Sequence, residues 1–426
     1  MSPTVSVVIP AYNHAAFIGK AIESVLEQSF ADLEIVITDD GSSDGTVDAI
    51  RAFADPRVNL EVFAENQGAV LALNSAIRRS QGAYICMLSS DDYFLPGKLA
   101  RQVEFLNAHP KVAATFGLPS FIDERGEPLT RHATFNGDIF EAPVKLGLDA
   151  PAKWLRYFFF ECNCLCHPTV MARRSVYDEI GLFDPHFANL PDFEMWVRMS
   201  LTHRIHVAAD ELTGMRILDD NRNMSAPSRE AHVRTLLEFY QTLKHYRRLP
   251  RETLHTIFAP EIDAHAEWAS LSPGELLAEV ALTSRHACHR FFALDTALEE
   301  TDAGQNYRRL YALAGSVDLF GLAEAAELQN LGERLAAARV EIERLNVALS
   351  EAQKQAAAAT APAAEEEAPG QEAPTATAPD KEAAPDAAPP ASAEQSGELG
   401  VAQNVPDDLG DVFGAVGPEP PEERQA

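Results

Sequence analysis

The stretch LEIVITDDGSSDGT, residues 33–46, decides the fold. Its first half is a short apolar run rich in β-branched residues, which predicts a buried strand. Its second half is small and polar, with Asp39, Asp40 and Gly41 where the strand would end, and this composition predicts a turn. In open α/β sheets ligands bind beyond the carboxyl ends of the strands, so these two acids are candidate ligand contacts.

The segments on either side repeat this arrangement. The runs VSVVIPAYN (residues 5–13), VNLEVFAEN (58–66) and AYICMLSSDD (83–92) predict three further strands, and the segments between them carry apolar residues at helical spacing. Alternating strands and helices predict parallel βαβ units, an α/β sheet with helices on both faces. The clusters PAYN, TDDGSSDGT and LSSDDYF are then expected to face one crevice.

Composition and charge set limits on the whole chain. At 426 residues we expect two or three structural units, and the net charge of −29 argues against a nucleic-acid-binding surface. Five cysteines at irregular spacing predict a reducing compartment. There is neither a signal peptide nor an apolar run of ~18 residues, so we expect a cytoplasmic protein without a transmembrane span, with peripheral membrane contact left open.

Taken together, VSVVIPAYN, VITDDGSSDGT, LSSDDYFLPGKL and PDFEMWVRM resemble the motifs of the family 2 glycosyltransferases, which have the GT-A nucleotide-sugar fold. Their order and spacing match over residues 5–225. The resemblance implies inverting transfer of a sugar from a nucleotide-diphosphate donor, with a UDP-sugar favoured, to a hydroxyl of a glycan, lipid-linked or protein acceptor in polysaccharide biosynthesis. The alternative is an inactive sugar-nucleotide-binding or scaffold protein of a glycan assembly complex.

The adjacent acids Asp91 and Asp92 predict a divalent metal site. A leaving diphosphate needs a cation such as Mg²⁺ or Mn²⁺, and hard cations of this kind take carboxylate oxygens. By resemblance, Asp92 is the metal ligand and Asp91 faces the ribose or a metal-bound water. The alternative is a solvated turn in which an aspartate caps the next helix.

The polar ends of the first two strands predict the nucleotide pocket. Tyr12 offers a flat face on which a base can stack. Asp40 can accept the imino hydrogen of a uracil ring, whereas Asp39 is expected on the other side of its strand, and Asn13 would alternatively cap the first helix. The nucleotide-binding residues predicted here, in part by resemblance, are Pro10, Ala11, Tyr12, Asn13, Asp40 and Asp91.

The segment NLPDFEMWVRM supplies the predicted general base, Asp192. An aspartate is ionised at neutral pH and can take the proton of an attacking hydroxyl. The family has an acidic pair here, and Pro191 replaces its first member in this chain. Glu194 is the alternative base, and an N-cap is the alternative role of Asp192.

Further contacts are less specific. By resemblance, Arg216 holds phosphate, while Asn163 and His167 lie on a strand flanking the acceptor side; Glu194, Arg216 and His167 are the predicted acceptor or phosphate contacts. Many relatives have a metal-binding histidine where this chain has Asp219 and Asp220, which leaves the role of that loop open. The run ECNCLCHP is predicted to be a strand with buried, apolar cysteines rather than a zinc site. The aromatic run KWLRYFFF is predicted to be core, with membrane docking as the alternative.

The rest of the chain changes character. We assign residues 1–225 to the transferase domain and residues 226–320 to a helical extension. Residues 321–352 are predicted to form an amphipathic helix or short coiled coil, whose apolar positions from Leu328 to Ala352 would offer a route to a homo-oligomer or a protein partner. From residue 351 the chain has 16 acidic and 3 basic residues and little to bury, so residues 353–426 are expected to be a disordered, acidic Ala/Pro/Glu-rich tail.

Overall fold

The computed structural model describes residues 3–129, 137–218, 229–284 and 286–300. The predictions for Asp219 and Asp220, for the segment 321–352 and for the tail lie outside these residues. Within them, every helix is too short or too polar to cross a bilayer.

Within the described residues, eight strands form a single sheet in the order β3-β2-β1-β4-β7-β6-β8-β5. Their bounds are Val5–Ala11 (β1), Leu33–Asp39 (β2), Val58–Val62 (β3), Tyr84–Met87 (β4), Tyr93–Phe94 (β5), Val112–Ile122 (β6), Met171–Arg173 (β7) and Arg204–Arg216 (β8). The first four are parallel to one another, as the βαβ pattern predicts. Strand β7 joins β4 to β6 in antiparallel pairing, and β8 runs parallel to β6.

Helices cover the two faces of this sheet. Their bounds are Ile18–Leu26 (α1), Thr46–Arg51 (α2), Ala69–Arg79 (α3), Lys98–Ala108 (α4), Ala142–Lys145 (α5), Pro151–Phe160 (α6), Arg174–Ile180 (α7), Pro191–Thr202 (α8), Arg229–Leu243 (α9), Arg251–Ile257 (α10), Ala259–Asp263 (α11), Pro273–Leu282 (α12) and Ala287–Glu300 (α13). Short 3-10 turns lie at Gly137–Glu141, His167–Thr169, Lys244–Arg248 and Ala266–Ser270.

Strand β1 shows why both faces are buried. Successive side chains of a strand point to opposite faces. Val7 and Ile9 pack in one hydrophobic cluster with α1 and α4, whereas Val8 packs in the other with α3, α6 and α8. All three side chains are fully buried.

The aromatic run of α6 is core, as predicted. Trp154, Leu155, Phe158 and Phe159 repeat at helical spacing and are at most 2% exposed. Phe159 packs edge-on against Tyr246, Phe258 and Phe292 of the helical extension. The extension and the sheet domain therefore share one hydrophobic cluster across the described residues.

Two local predictions are wrong. The segment 161–166 forms no strand, and its Cys162, Cys164 and Cys166 are nevertheless buried free thiols, because loop side chains can also pack into the core. Asn13 does not cap the first helix, because α1 begins only at Ile18, five residues later.

Candidate active site

The loops after β1 and β2 are bound to each other. Asn13 has a positive φ of 51°, a conformation that asparagine tolerates better than most residues. This places its Oδ1 to accept the N–H of Ser43 at 2.9 Å, while its own N–H donates to Oγ of Ser42 at 2.9 Å. Tyr12, beside it, is 45% exposed and presents its ring to solvent.

The loop after β4 joins them through His14. Nδ1 of His14 is hydrogen-bonded to Oγ of Ser90 at 2.7 Å, and the His14 N–H donates to Oγ1 of Thr46 at 2.8 Å. Ser90 directly precedes the pair of acids. The three polar clusters that follow neighbouring strands are thus in contact at one edge of the sheet.

Asp40 is fixed beneath this edge. Its Oδ1 accepts the N–H of Gln67 at 2.7 Å and its Oδ2 accepts the N–H of Gly68 at 2.9 Å, at the start of α3. Asp39 is also buried, and its carboxylate binds a different partner, accepting the N–H and the hydroxyl of Ser42. Both acids hold loops, and each carboxylate oxygen keeps lone pairs for a further donor.

The acid pair lies against the end of β8. The backbone N–H of Arg216 donates to Oδ1 of Asp92 at 2.8 Å, and the Arg216 Nε donates to the carbonyl of Asp91 at 2.8 Å. Asp92 is 5% exposed. Burial and the neighbouring Asp91 carboxylate raise the pKa of Asp92 well above its usual value, against the opposing effect of Arg216.

Asp192 lies in the first turn of α8, where Leu190 rather than Asp192 is the N-cap residue. Its Oδ2 accepts a hydrogen bond from Nδ2 of Asn163 at 2.8 Å. Burial raises the pKa of Asp192, while the nearby His167 ring, the Phe193 N–H and the Asn163 amide oppose that rise. The carboxylate therefore has the surroundings of a base whose affinity for a proton is increased.

Cys166 connects the two acidic groups. Burial raises the pKa of its thiol, and the charges of Asp92 and Asp192 both add to that rise. Both carboxylates therefore lie within electrostatic reach of one buried sulfur, which itself contacts Met215 of β8. The structure brings the predicted metal ligand and the predicted base into one region.

Comparison with known proteins identifies the family. A family model described as glycosyl transferase family 2 matches residues 6–181. TuaG of Bacillus subtilis, whose name refers to teichuronic acid biosynthesis, is 38% identical over 199 residues, covering 46% of this chain and 72% of TuaG. The chain is a family 2 glycosyltransferase.

Two further proteins are similar to this transferase. WfaP of Escherichia coli, named as a UDP-Glc:alpha-D-GlcNAc-diphosphoundecaprenol beta-1,3-glucosyltransferase, is 30% identical over 172 residues, covering 40% of this chain and 62% of WfaP. The solved structure of S. aureus TarS 1–349 in complex with UDP has a TM-score of 0.47 and 16% identity, covering 73% of this chain and 90% of that one.

Two of the predicted contacts of the transferase have other partners in the structure. Glu194, the alternative base, is 2% exposed and forms ion pairs with Arg198 and with Nε2 of His245, the latter at 2.8 Å. Burial opposes ionisation, yet hydrogen bonds from His245 and Arg198 lower the pKa of Glu194, so it is held as a paired anion.

The Arg216 guanidinium is hydrogen-bonded to backbone carbonyls. Besides the Asp91 carbonyl it donates to the carbonyls of Asp123 and Glu124, and it lies over the Phe17 ring. These contacts join the end of β8 to the loop that carries Asp91 and to the turn that follows β6. A phosphate contact by Arg216 stays a prediction.

The remaining predicted positions lie as follows. Asn163 and His167 do not belong to a strand, since Asn163 is in a loop and His167 begins a 3-10 turn. Asn163 nevertheless donates to Asp192, and the His167 ring lies within electrostatic reach of that carboxylate. Pro10 and Ala11 end β1. The contact between His14 and Ser90, which joins two of the loops, could not be predicted, because each is an ordinary polar loop residue.

Proposed function

We propose that this transferase moves a sugar from a UDP-sugar to an acceptor hydroxyl with inversion, using Asp192 as the base and a divalent cation at Asp91 and Asp92. The single observation that supports it most is that residues 163–166 link the two acids. Asn163 donates to Asp192, and Cys166 contacts Met215, which directly precedes the residue whose N–H donates to Asp92. A donor held at the first acid and an acceptor at the second would then meet between them.

The donor set at the acid pair suits a hard cation. Among the described residues no group of three or more His, Cys, Asp or Glu side chains is arranged to hold a metal. Mg²⁺ usually binds through one or two carboxylates and completes its shell with phosphate oxygens and water, so a pair of acids is an adequate protein contribution. When bound, the cation would neutralise the charge of the leaving diphosphate.

The chemistry at Asp192 is a single displacement. The acceptor oxygen forms a bond to the anomeric carbon while the bond from that carbon to the diphosphate oxygen breaks. The acceptor proton passes to the Asp192 carboxylate, and the diphosphate carries away the bonding electrons. Asn163 orients the carboxylate for this step through its hydrogen bond to Oδ2.

The donor and acceptor classes are proposed from relatives. The name of WfaP specifies UDP-glucose and a diphosphoundecaprenol-linked acceptor. By that likeness we propose a UDP-sugar donor and favour a lipid-linked glycan among the glycan, lipid-linked and protein acceptors. A peripheral association with the membrane that carries such a lipid follows from the same proposal.

The test compares two substitutions. Asp192→Asn is expected to lower turnover by roughly 10²- to 10⁴-fold, the usual contribution of a general base, and to leave UDP binding in the presence of Mn²⁺ unchanged. Asp92→Ala is expected to abolish the Mn²⁺-dependent part of UDP binding in a thermal-shift titration. Asp263→Asn, an exposed acid of α11, is the matched control.

The outcomes separate the candidates. Full turnover in Asp192→Asn would contradict the assigned base. UDP binding without turnover of any sugar nucleotide by the native protein would favour the inactive scaffold, whose predicted assembly elements lie outside the described residues.

A further inference from the structure

The loop that leads into α8 is bound by a carboxylate from the helical extension. The N–H groups of Ala188, Asn189 and Leu190 all donate to Glu238 of α9, at 2.9, 2.8 and 2.6 Å. Glu238 is 6% exposed. One buried side chain thus binds three consecutive backbone donors just before the helix that carries Asp192.

These donors lie on Leu190, the N-cap residue of α8, and on the two residues before it. Helices commonly begin with a Ser, Thr, Asp or Asn whose side chain fixes the start of the helix by accepting a backbone N–H of the first turn. Leu190 has no side chain able to do so. Glu238, 48 to 50 residues further along the chain, instead fixes the backbone that enters this turn.

The same loop is held a second time by its side chain. Nδ2 of Asn189 donates to the carbonyl of Ala231 at 2.9 Å and to Oγ1 of Thr235 at 3.2 Å, both on α9. One turn into α8, Glu194 is paired with His245, which follows α9. Helix α8 is therefore fixed to the extension on both sides of Asp192.

We infer that Glu238 is a positioning residue, which sets the direction of the first turn of α8 and so the place of the Asp192 carboxylate. This inference rests on the proposed role of Asp192 as the base. Its physical basis is that a reacting group must be held to within a fraction of an ångström, and a displacement of about 1 Å costs up to ~10²-fold in rate.

The variant Glu238→Gln tests the inference. The amide nitrogen that replaces one carboxylate oxygen is a donor and cannot accept the backbone N–H groups that this oxygen binds. We expect kcat to fall by about 10- to 100-fold, with the KM for the UDP-sugar changed by less than about threefold. The acid limb of the pH–rate profile is also expected to move, because the surroundings of Asp192 change.

Asp295→Asn is the matched control. Asp295 of α13 binds Tyr240, Lys244 and Arg247, so its contacts remain within the extension. A purely structural role for Glu238 predicts that the two variants lose thermal stability and activity together. A positioning role for Glu238 predicts that only Glu238→Gln loses kcat when both variants are measured at temperatures equally far below their own Tm.

A native kcat in Glu238→Gln, or an equal loss of kcat in both variants, would overturn the inference. If Glu238→Gln does not fold, Asn189→Ala is the second variant, because it removes only the side-chain contacts of the loop. We expect it to lower kcat as well, and a native kcat in Asn189→Ala would also overturn the inference. Asp192→Asn is measured in parallel, since its full turnover would contradict the proposed function independently of Glu238.

Discussion

At the scale of single residues, the surroundings of Asp192 suit the role of base that we propose for it. Burial raises its pKa, while the amide of Asn163 and the charge of His167 limit that rise. The family resemblance predicted Asp192 as the base and placed Asn163 and His167 on the acceptor side. It could not reveal the hydrogen bond from Asn163, because these two residues are 29 positions apart.

We predict that Asn163→Ala moves the acid limb of the pH–rate profile to higher pH. The lost hydrogen bond stabilises the ionised carboxylate, so its removal raises the pKa of Asp192 further, and the active, deprotonated form disappears at a higher pH as the medium is acidified. The measurement is kcat/KM as a function of pH. Asn107→Ala is the control, since Asn107 of α4 accepts its hydrogen bond from the Tyr84 hydroxyl at the start of β4. An acid limb that stays in place would contradict the role given to Asn163.

At the scale of elements, the four parallel strands were predictable because each is a run of β-branched and aliphatic residues ended by a polar turn. The antiparallel insertion of β7 between β4 and β6 was not predictable. Its pairing joins Cys86 to Met171, which are far apart in the chain, and it leaves no periodic pattern in the sequence. The cysteine loop was misassigned because alternation of apolar residues also arises in irregular segments that line a core.

The turn after β2 requires a glycine at position 41. Gly41 has a φ of +74°, and a Cβ at this position would lie 2.7 Å from the backbone carbon of Glu65. We predict that Gly41→Ala displaces this turn, because both the conformation and the contact oppose a side chain. The affinity for UDP with Mn²⁺ should fall by at least about tenfold, equivalent to ~1.4 kcal/mol.

Gly147→Ala is the matched control for Gly41→Ala. Gly147 has a positive φ of +60°, but a Cβ there would meet nothing within 4 Å. The two variants therefore share the conformational cost and differ in the clash. Equal affinities for UDP by titration calorimetry would show that the contact with Glu65 does not matter.

At the scale of the whole molecule, the extension and the sheet domain meet at buried groups that are sensitive to pH. His289 of α13 is fully buried, and its Nε2 donates to the carbonyl of Phe159 in α6. Burial lowers the pKa of His289 to about 3, against the opposing effect of that hydrogen bond. The sequence suggested a separate helical region here and contained no sign of this contact.

We predict that the native protein loses stability on acidification partly through His289. The unfolded state takes up a proton on this ring near pH 6.5, while the folded state does so only near its lowered pKa, so stability is lost as pH falls through that window at about 1.4 kcal/mol per pH unit. His289→Gln should flatten this dependence in chemical denaturation at pH 7, 6 and 5. His186→Gln, which changes a ring that is 90% exposed, should leave the slope as in the native protein.

The helical extension should be kept when the gene is shortened for crystallisation. It contacts the sheet domain through Glu238, Tyr246 and His289. A fragment that stops near residue 225, where the family motifs end, would lose the acceptor of three amides beside Asp192. It would also expose to water the Phe159 ring, which packs against Tyr246, Phe258 and Phe292. Such a fragment would be prone to precipitate, and its failure to turn over substrate would say nothing about catalysis, so expression should extend at least through Glu300.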